Sequence, residues 1–125
     1  MILDTCALLF LPSGDRRLSQ SARERIAQER TVWFCAISAF EVALKWRDGK
    51  LDLPLQPHTW IRRVAERYAL TEIPLDSGLC AAAALLPPVH RDPCDRVIIA
   101  AARQLRVPVV TIDPKFEPYG VETFS

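Results

Sequence analysis

Four acidic residues sit where apolar segments end or turn. Asp4 follows Met1-Ile2-Leu3, and Asp113 follows the apolar run Val107–Ile112. Glu41 and Asp95 each fall within the first turn of a predicted helix. Carboxylates gathered in one place repel one another, which costs stability unless protons or cations intervene. The usual reason to keep such a cluster is a hard divalent cation, Mg²⁺ or Mn²⁺, which takes carboxylate oxygens together with water and substrate phosphate. A cation so held can activate water and neutralise charge on a phosphodiester, and two of them about 4 Å apart would do both in an in-line displacement. The residue types therefore point to phosphodiester hydrolysis, provided that the fold brings the four acids together.

The elements that must do so follow from the hydrophobic pattern. Met1–Leu3 reads as a short strand, and Thr5–Leu11 as a helix stopped by Pro12. Ser19–Arg30 is a charged helix with Ala22 and Ile26 inward, and Thr31–Cys35, rich in β-branched and aromatic residues, is a strand. Ser38–Asp48 is a helix that Ser38 can cap and Gly49 can end. Lys50–Pro57 is a Pro-rich connector, and Pro57 suits the first turn of a helix through Tyr68. Leu70–Pro74 is a third strand. Ser77–Leu86 is a nearly all-apolar helix, expected to be buried on most sides. Pro87, Pro88 and Pro93 enclose a loop before a helix over Asp95–Leu105, and strands follow at Val107–Ile112 and Val121–Phe124. Alternation of strands and helices predicts a parallel sheet with helices on both faces. Ligands bind such folds outside the carboxyl ends of the strands, where strand order reverses. If the first and fourth strands are neighbours, Asp4 and Asp113 meet there.

Each acid also has an ordinary local role. Ser38 with Glu41 spells a helix capping box, and Asp95 in a first helical turn suits the helix dipole. Asp4 and Asp92 can be N-caps, and Asp113 before Pro114 a turn residue. Asp92, Thr5 and Thr111 are supporting candidates, the threonines because their hydroxyls stand beside acids and can hold cation-bound water. Arg91 and Arg96 flank the acids and are candidates for nucleic-acid phosphate, as are Arg16, Arg17, Lys45, Arg47 and Lys50. Trp33, Trp46 and Trp60 read as core or interface residues. His90-Arg91-Asp92 matches one kinase triplet, but the chain is too short for a kinase and lacks its other motifs. His58 and His90 have no zinc-ligand spacing with cysteine. A receiver-like signalling domain would need paired acids after the first strand, where Asp4 stands alone.

With 125 residues the chain fits one domain, residues 1–125, and its 16 Lys plus Arg against 15 Asp plus Glu leave a net charge of +1. That balance excludes a uniformly basic nucleic-acid binder, so any such contact depends on where the charges sit. Cys6, Cys35, Cys80 and Cys94 are scattered among small and apolar neighbours and read as buried thiols of a reducing compartment. No signal peptide or membrane-length apolar run is visible, which predicts a cytoplasmic protein with no membrane partner.

Four segments resemble, in order, the motifs of the PIN-domain nucleases. These are L-D-T at Leu3–Thr5, S-A-F-E-V-A-L-K at Ser38–Lys45, H-R-D-P-C-D-R-V-I-I-A-A-A at His90–Ala102 and T-I-D-P-K-F at Thr111–Phe116, followed by Y-G-V at Tyr119–Val121. Any one of these is weak evidence, whereas four in order over essentially the whole chain are specific. Within that family the chain looks most like the VapC-type toxins of bacterial toxin–antitoxin pairs. The resemblance implies a three-layer α/β/α sandwich with strand order 3-2-1-4-5. It implies Mg²⁺- or Mn²⁺-dependent RNA cleavage by Asp4, Glu41, Asp95 and Asp113, with Asp4, Asp95 and Asp113 as metal ligands. It also implies a homodimer and inhibition by a cognate antitoxin. The alternative is a non-catalytic binding module on the same fold.

Overall fold

Period-two alternation in the strands assigns their side chains to two separate cores. In the computed structural model, which describes residues 1–125, Met1 and Leu3 face one apolar cluster while Ile2 faces the other. Val32 and Phe34 likewise oppose Cys35, and Val110 opposes Val109. The central strands β1 (Ile2–Leu3), β2 (Val32–Cys35) and β4 (Val109–Val110) are thus covered on both faces, as parallel strands generally are. With β3 (Leu70–Ile73) and β5 (Thr123–Phe124) they form one sheet in the order β3-β2-β1-β4-β5, every pair parallel. The three-layer sandwich and the strand order match the expectation.

One face carries α1 (Thr5–Ser13), α2 (Gln20–Gln28) and α4 (Pro57–Arg67), with Val42 of α3 (Ile37–Arg47) reaching into the same core. The other carries α5 (Ser77–Ala84), α6 (Pro93–Leu105) and a 3₁₀ helix, Pro114–Tyr119. α6 supplies the most continuous part of this second core, with Ile98 and Ile99 fully buried.

Several expectations change at element ends. Pro12 lies inside α1 rather than stopping it after Leu11. Its missing N–H costs one bond near the end of the helix, which closes one residue later on Gly14 at φ +70°. The Arg23 guanidinium of α2 takes up the carbonyls left over, donating to those of Phe10, Leu11 and Asp15 at 2.8–3.0 Å. Ser38 is not a cap: α3 begins at Ile37 after Ala36, which makes no side-chain cap bond, and the Ser38 hydroxyl bonds Thr5 at 2.9 Å instead. α6 begins two residues earlier than expected, on the Asp92 cap. β4 is far shorter than Val107–Ile112, because the N–H of Val107 closes α6 on the Ala102 carbonyl and Pro108 has no N–H to give. α5 is not buried on most sides. It packs through Leu79 and Ala83 and leaves Cys80, Ala81 and Ala84 exposed. The four-thiol expectation therefore holds for Cys35 and Cys94, while Cys6 is half-buried and Cys80 exposed.

Ile98→Ala should cost about 2–5 kcal/mol, because the side chain is fully buried between α6 and the sheet. Urea denaturation would read this as a lower midpoint with an unchanged slope.

Candidate active site

Strand order reverses between β1 and β4, and the candidate residues collect at the carboxyl ends of those two strands. Leu3 pairs with Val110, so Asp4 and Thr111 emerge side by side, the Asp4 N–H bonding the Val110 carbonyl at 3.1 Å. Asp113 follows two residues later. Glu41 comes from the first turns of α3, which the Thr5–Ser38 bond ties to the start of α1. Asp95 comes from the first turn of α6. The four expected acids therefore converge on one edge of the sheet.

The local roles and the clustering are both real. Asp4 Oδ1 caps α1 by accepting from the Ala7 N–H at 2.7 Å, and Asp92 Oδ1 caps α6 by accepting from Cys94 at 2.9 Å. Asp113 Oδ1 caps the 3₁₀ helix by accepting from Lys115 at 2.9 Å. Each carboxylate spends one oxygen on a helix N-terminus and keeps the other. Thr111 Oγ1 accepts from the Asp113 N–H at 3.0 Å, so it shapes the loop carrying that acid. Thr5, fully buried, joins the starts of α1 and α3.

Crowding and burial raise the proton affinity of the cluster. Burial pushes the Asp4 carboxyl from its ordinary 3.8 up to about 6, against hydrogen bonds from Thr111 and Ala7, with Glu41 and Asp113 adding repulsion. Burial, then Asp92, Glu41, Asp4 and Asp113 in turn, push Asp95 up to about 7. Glu41 is raised too, chiefly by burial, with Lys45 acting against it from 3.8 Å. All these shifts disfavour the charged forms, as expected of carboxylates short of a counter-cation.

The structure adds a residue that the sequence reading had set aside. His90 is buried, and its Nε2 lies 2.9 Å from Asp95 Oδ2 and 3.1 Å from Asp113 Oδ2. The ligand atoms of His90, Asp95 and Asp113 all lie within 4.8 Å of one another, as do those of Glu41, Asp92 and Cys94. Asp4 joins neither trio at that spacing, so within the expected metal set of Asp4, Asp95 and Asp113 it stands back from the other two and acts on them through repulsion. The signal for His90 was its place five residues before Asp95 in H-R-D-P-C-D. The sequence offers it only as part of a kinase-like triplet or as a zinc ligand, and it suits neither.

The donor set fits a hard divalent cation: carboxylate oxygens from Asp4, Glu41, Asp95 and Asp113 dominate. Cys94, whose thiol is pushed up to about 11 by burial and the surrounding acids, is a soft donor that suits such a cation poorly.

The Arg96 guanidinium is engaged by the protein itself. It donates to the carbonyls of Ala84, Leu86, Pro87 and His90 and to the Tyr119 hydroxyl, which fastens the proline loop over α6. Arg91 is exposed beside the α6 cap. Arg17 and Arg47 are paired with Asp15 and Asp48, and Lys45 with Glu41. Of the tryptophans, Trp60 is core, Trp33 partly buried and Trp46 exposed. The largest cavity, about 690 Å³, contains none of the four acids. It runs between α1, the Lys50–Leu55 connector and α4, and it approaches the acids through Cys6 and Lys45.

A parallel sheet in this order with acids at its switch point defines a PIN fold. The PIN domain profile matches residues 1–121, and the chain belongs to that family. It is 27% identical over 119 residues to Ribonuclease VapC22 of Mycobacterium tuberculosis (strain ATCC 25618 / H37Rv), covering 95% of this chain and 91% of that protein. Among solved structures it resembles VapBC2 from Rickettsia felis bound to a promoter DNA fragment, with TM-score 0.71, 15% identity, and 98% and 96% of the two chains covered. It also resembles FitAcB from Neisseria gonorrhoeae, with TM-score 0.68, 20% identity, and 99% and 96% covered. These two likenesses speak to the fold.

The raised carboxyls fix a pH dependence for the cation-free protein. With folded values near 6 and 7 against an ordinary 3.8, the native state holds more protons than the unfolded chain between about pH 4 and pH 7. Their stabilisation is full below about pH 4 and is lost as pH rises through 6 to 7. Melting in EDTA should therefore show a falling contribution across that window. Asp4→Asn keeps the cap oxygen and removes the charge. It should flatten the fall and raise stability at pH 7 by about 1–2 kcal/mol, and an unchanged pH profile would contradict the assignment of the shift to Asp4.

Proposed function

We propose that this PIN domain is a ribonuclease that cleaves RNA phosphodiester bonds with Mg²⁺ or Mn²⁺ and serves as the toxin of a toxin–antitoxin pair. The observation that carries the reading is the convergence of Asp4, Glu41, Asp95 and Asp113 at one sheet edge, with proton affinities raised by burial and by neighbouring carboxylates. RNA as substrate rests on the ribonuclease relative.

Asp4, Asp95 and Asp113 would hold the cation through carboxylate oxygens. Bound there, it would lower the pKa of a water and neutralise charge on the scissile phosphate. Glu41, half-buried with its carboxyl above the usual range, is assigned to accept a proton from the attacking water at its carboxylate. Thr5 and Thr111 fix the elements that carry the acids. Arg91, exposed at the mouth, is the arginine of this motif left to meet RNA phosphate.

The partners are a cognate antitoxin, whose basic tail would enter the acidic cleft and pair an arginine with the carboxylates, and a second copy of the chain. A dimer face on the first two helices has little support, since α1 is largely buried. Exposed apolar side chains lie on α3, at Phe40 and Trp46, and around α5, at Leu75, Leu85 and Val89. Light scattering at micromolar concentration should give twice the chain mass; a monomer would refute the dimer. No helix is long and apolar enough to cross a membrane, and the four free thiols suit a reducing cytoplasm.

The test uses RNA and DNA oligonucleotides of one sequence, with Mg²⁺, Mn²⁺ or EDTA. Cleavage of RNA alone, lost in EDTA, is the expected result. Asp95→Asn should lower cleavage at least about 100-fold and flatten the Mg²⁺-induced rise in melting temperature. In the parent that rise reflects about 2.7 kcal/mol at 100 times the dissociation constant. Cleavage by Asp95→Asn at the parent rate would remove Asp95 from the catalytic set.

A further inference from the structure

His90 is held more tightly than its neighbours in sequence require. Its backbone N–H donates to the Tyr119 hydroxyl at 2.7 Å, and its carbonyl accepts from Arg96 at 3.1 Å. Its ring stands edge-on to Phe116, with centroids 5.9 Å apart and planes at 82°. Tyr119 in turn donates to the Pro87 carbonyl at 2.7 Å. Proline loop, α6 and 3₁₀ helix thus converge to aim one imidazole at two carboxylates.

The hydrogen bonds around the ring decide which nitrogen carries hydrogen. Nδ1 lies 3.2 Å from the backbone N of Asp92 and accepts from it. A peptide N–H cannot give up its hydrogen, so Nδ1 must offer a lone pair. The hydrogen of the neutral ring then sits on Nε2, the atom shared between Asp95 Oδ2 and Asp113 Oδ2. A nitrogen that bears hydrogen has no lone pair for a cation. Coordination through Nε2 would require the other tautomer, which sets the Nδ1 hydrogen against the Asp92 N–H.

We propose that His90 is a positioning residue of the cation site: its Nε2–H donates to Asp113 Oδ2 while Nε2 stands 2.9 Å from Asp95 Oδ2, which fixes the spacing of the two carboxylates for a divalent cation to which His90 is not itself a ligand. The inference rests on the reading of the cleft as a cation site. It separates the trio His90, Asp95 and Asp113 into two ligands and one donor. Partners that orient liganding carboxylates in this way typically govern metal affinity 10- to 100-fold.

Two measurements test it, neither needing RNA. In the ¹⁵N-histidine-labelled parent protein, long-range ¹⁵N–¹H spectra should show His90 with hydrogen on Nε2 in EDTA and again at saturating Mg²⁺, with exposed His58 as internal reference. A Mg²⁺-induced change to the Nδ1–H form would make His90 a ligand and overturn the proposal. In calorimetric titration with Mn²⁺, His90→Leu should bind roughly 10- to 100-fold more weakly than the parent. His90→Gln, whose amide N–H lands near the place of Nε2, should recover to within about threefold. Equal Mn²⁺ affinity in His90→Leu and the parent would also overturn the proposal. If His90→Leu does not fold, the Gln variant and the parent spectra still decide, since a Gln variant that binds as weakly as an Asp95→Asn control counts against a donor role. Failure of the parent itself to bind Mn²⁺ would instead overturn the cation reading, and this inference with it.

Discussion

Carboxylates that meet at one edge of a sheet repel, and the structure answers that repulsion with helix N-termini. Asp4, Asp92 and Asp113 each give one oxygen to a cap, where backbone N–H groups and the helix dipole favour negative charge. Asp95 lies in the first turn of α6, at the same positive end. The opposition is incomplete, since Asp4 and Asp95 still hold their protons well above the ordinary range. That residual imbalance is the property a cation would relieve, and it follows from placing acids at the carboxyl ends of parallel strands where helices begin.

The rest of the architecture serves that placement. Two-residue strands suffice for β1 and β4 because both faces of each are covered, and their apolar side chains alternate between two cores. The Thr5–Ser38 bond registers α3 against α1, which carries Glu41 to the cleft. On the far side Arg96 and Tyr119 gather the proline loop over α6, and His90 projects from that assembly into the acids. Arg96, by its charge and position a natural guess for phosphate, contributes through peptide carbonyls instead.

The parallel sheet and the placing of the four acids at strand ends and helix starts were legible in the sequence because they depend on alternation and on where apolar runs stop, while the strand order came with the family resemblance. What escaped depends on contacts between distant segments. Ser38 reads as a cap from its neighbours, yet its hydroxyl answers Thr5, 33 positions away. Arg96 looks like surface charge until the carbonyls of Ala84, Leu86 and Pro87 fold over it. The composition of α5 suggests burial on most sides, but alanine and cysteine tolerate solvent, and the helix packs through Leu79 and Ala83, with Ala82 part-buried beside them. His90 shows no ligand spacing with cysteine, and its partners Asp95 and Asp113 come together only where the start of α6 meets the loop after β4.

That pairing also bears on how the chain reaches its fold. β1 opens the sequence and β4 lies more than a hundred residues later, so joining them closes the longest loop in the sheet. Loop closure of this kind is paid in chain entropy before any contact is gained, and non-local strand pairing is slow for that reason. The same event brings Asp4 and Asp113 to one edge of the sheet. Chain entropy and charge repulsion therefore oppose one step of folding, which makes the speed of folding, as well as the finished site, responsive to the cations in solution.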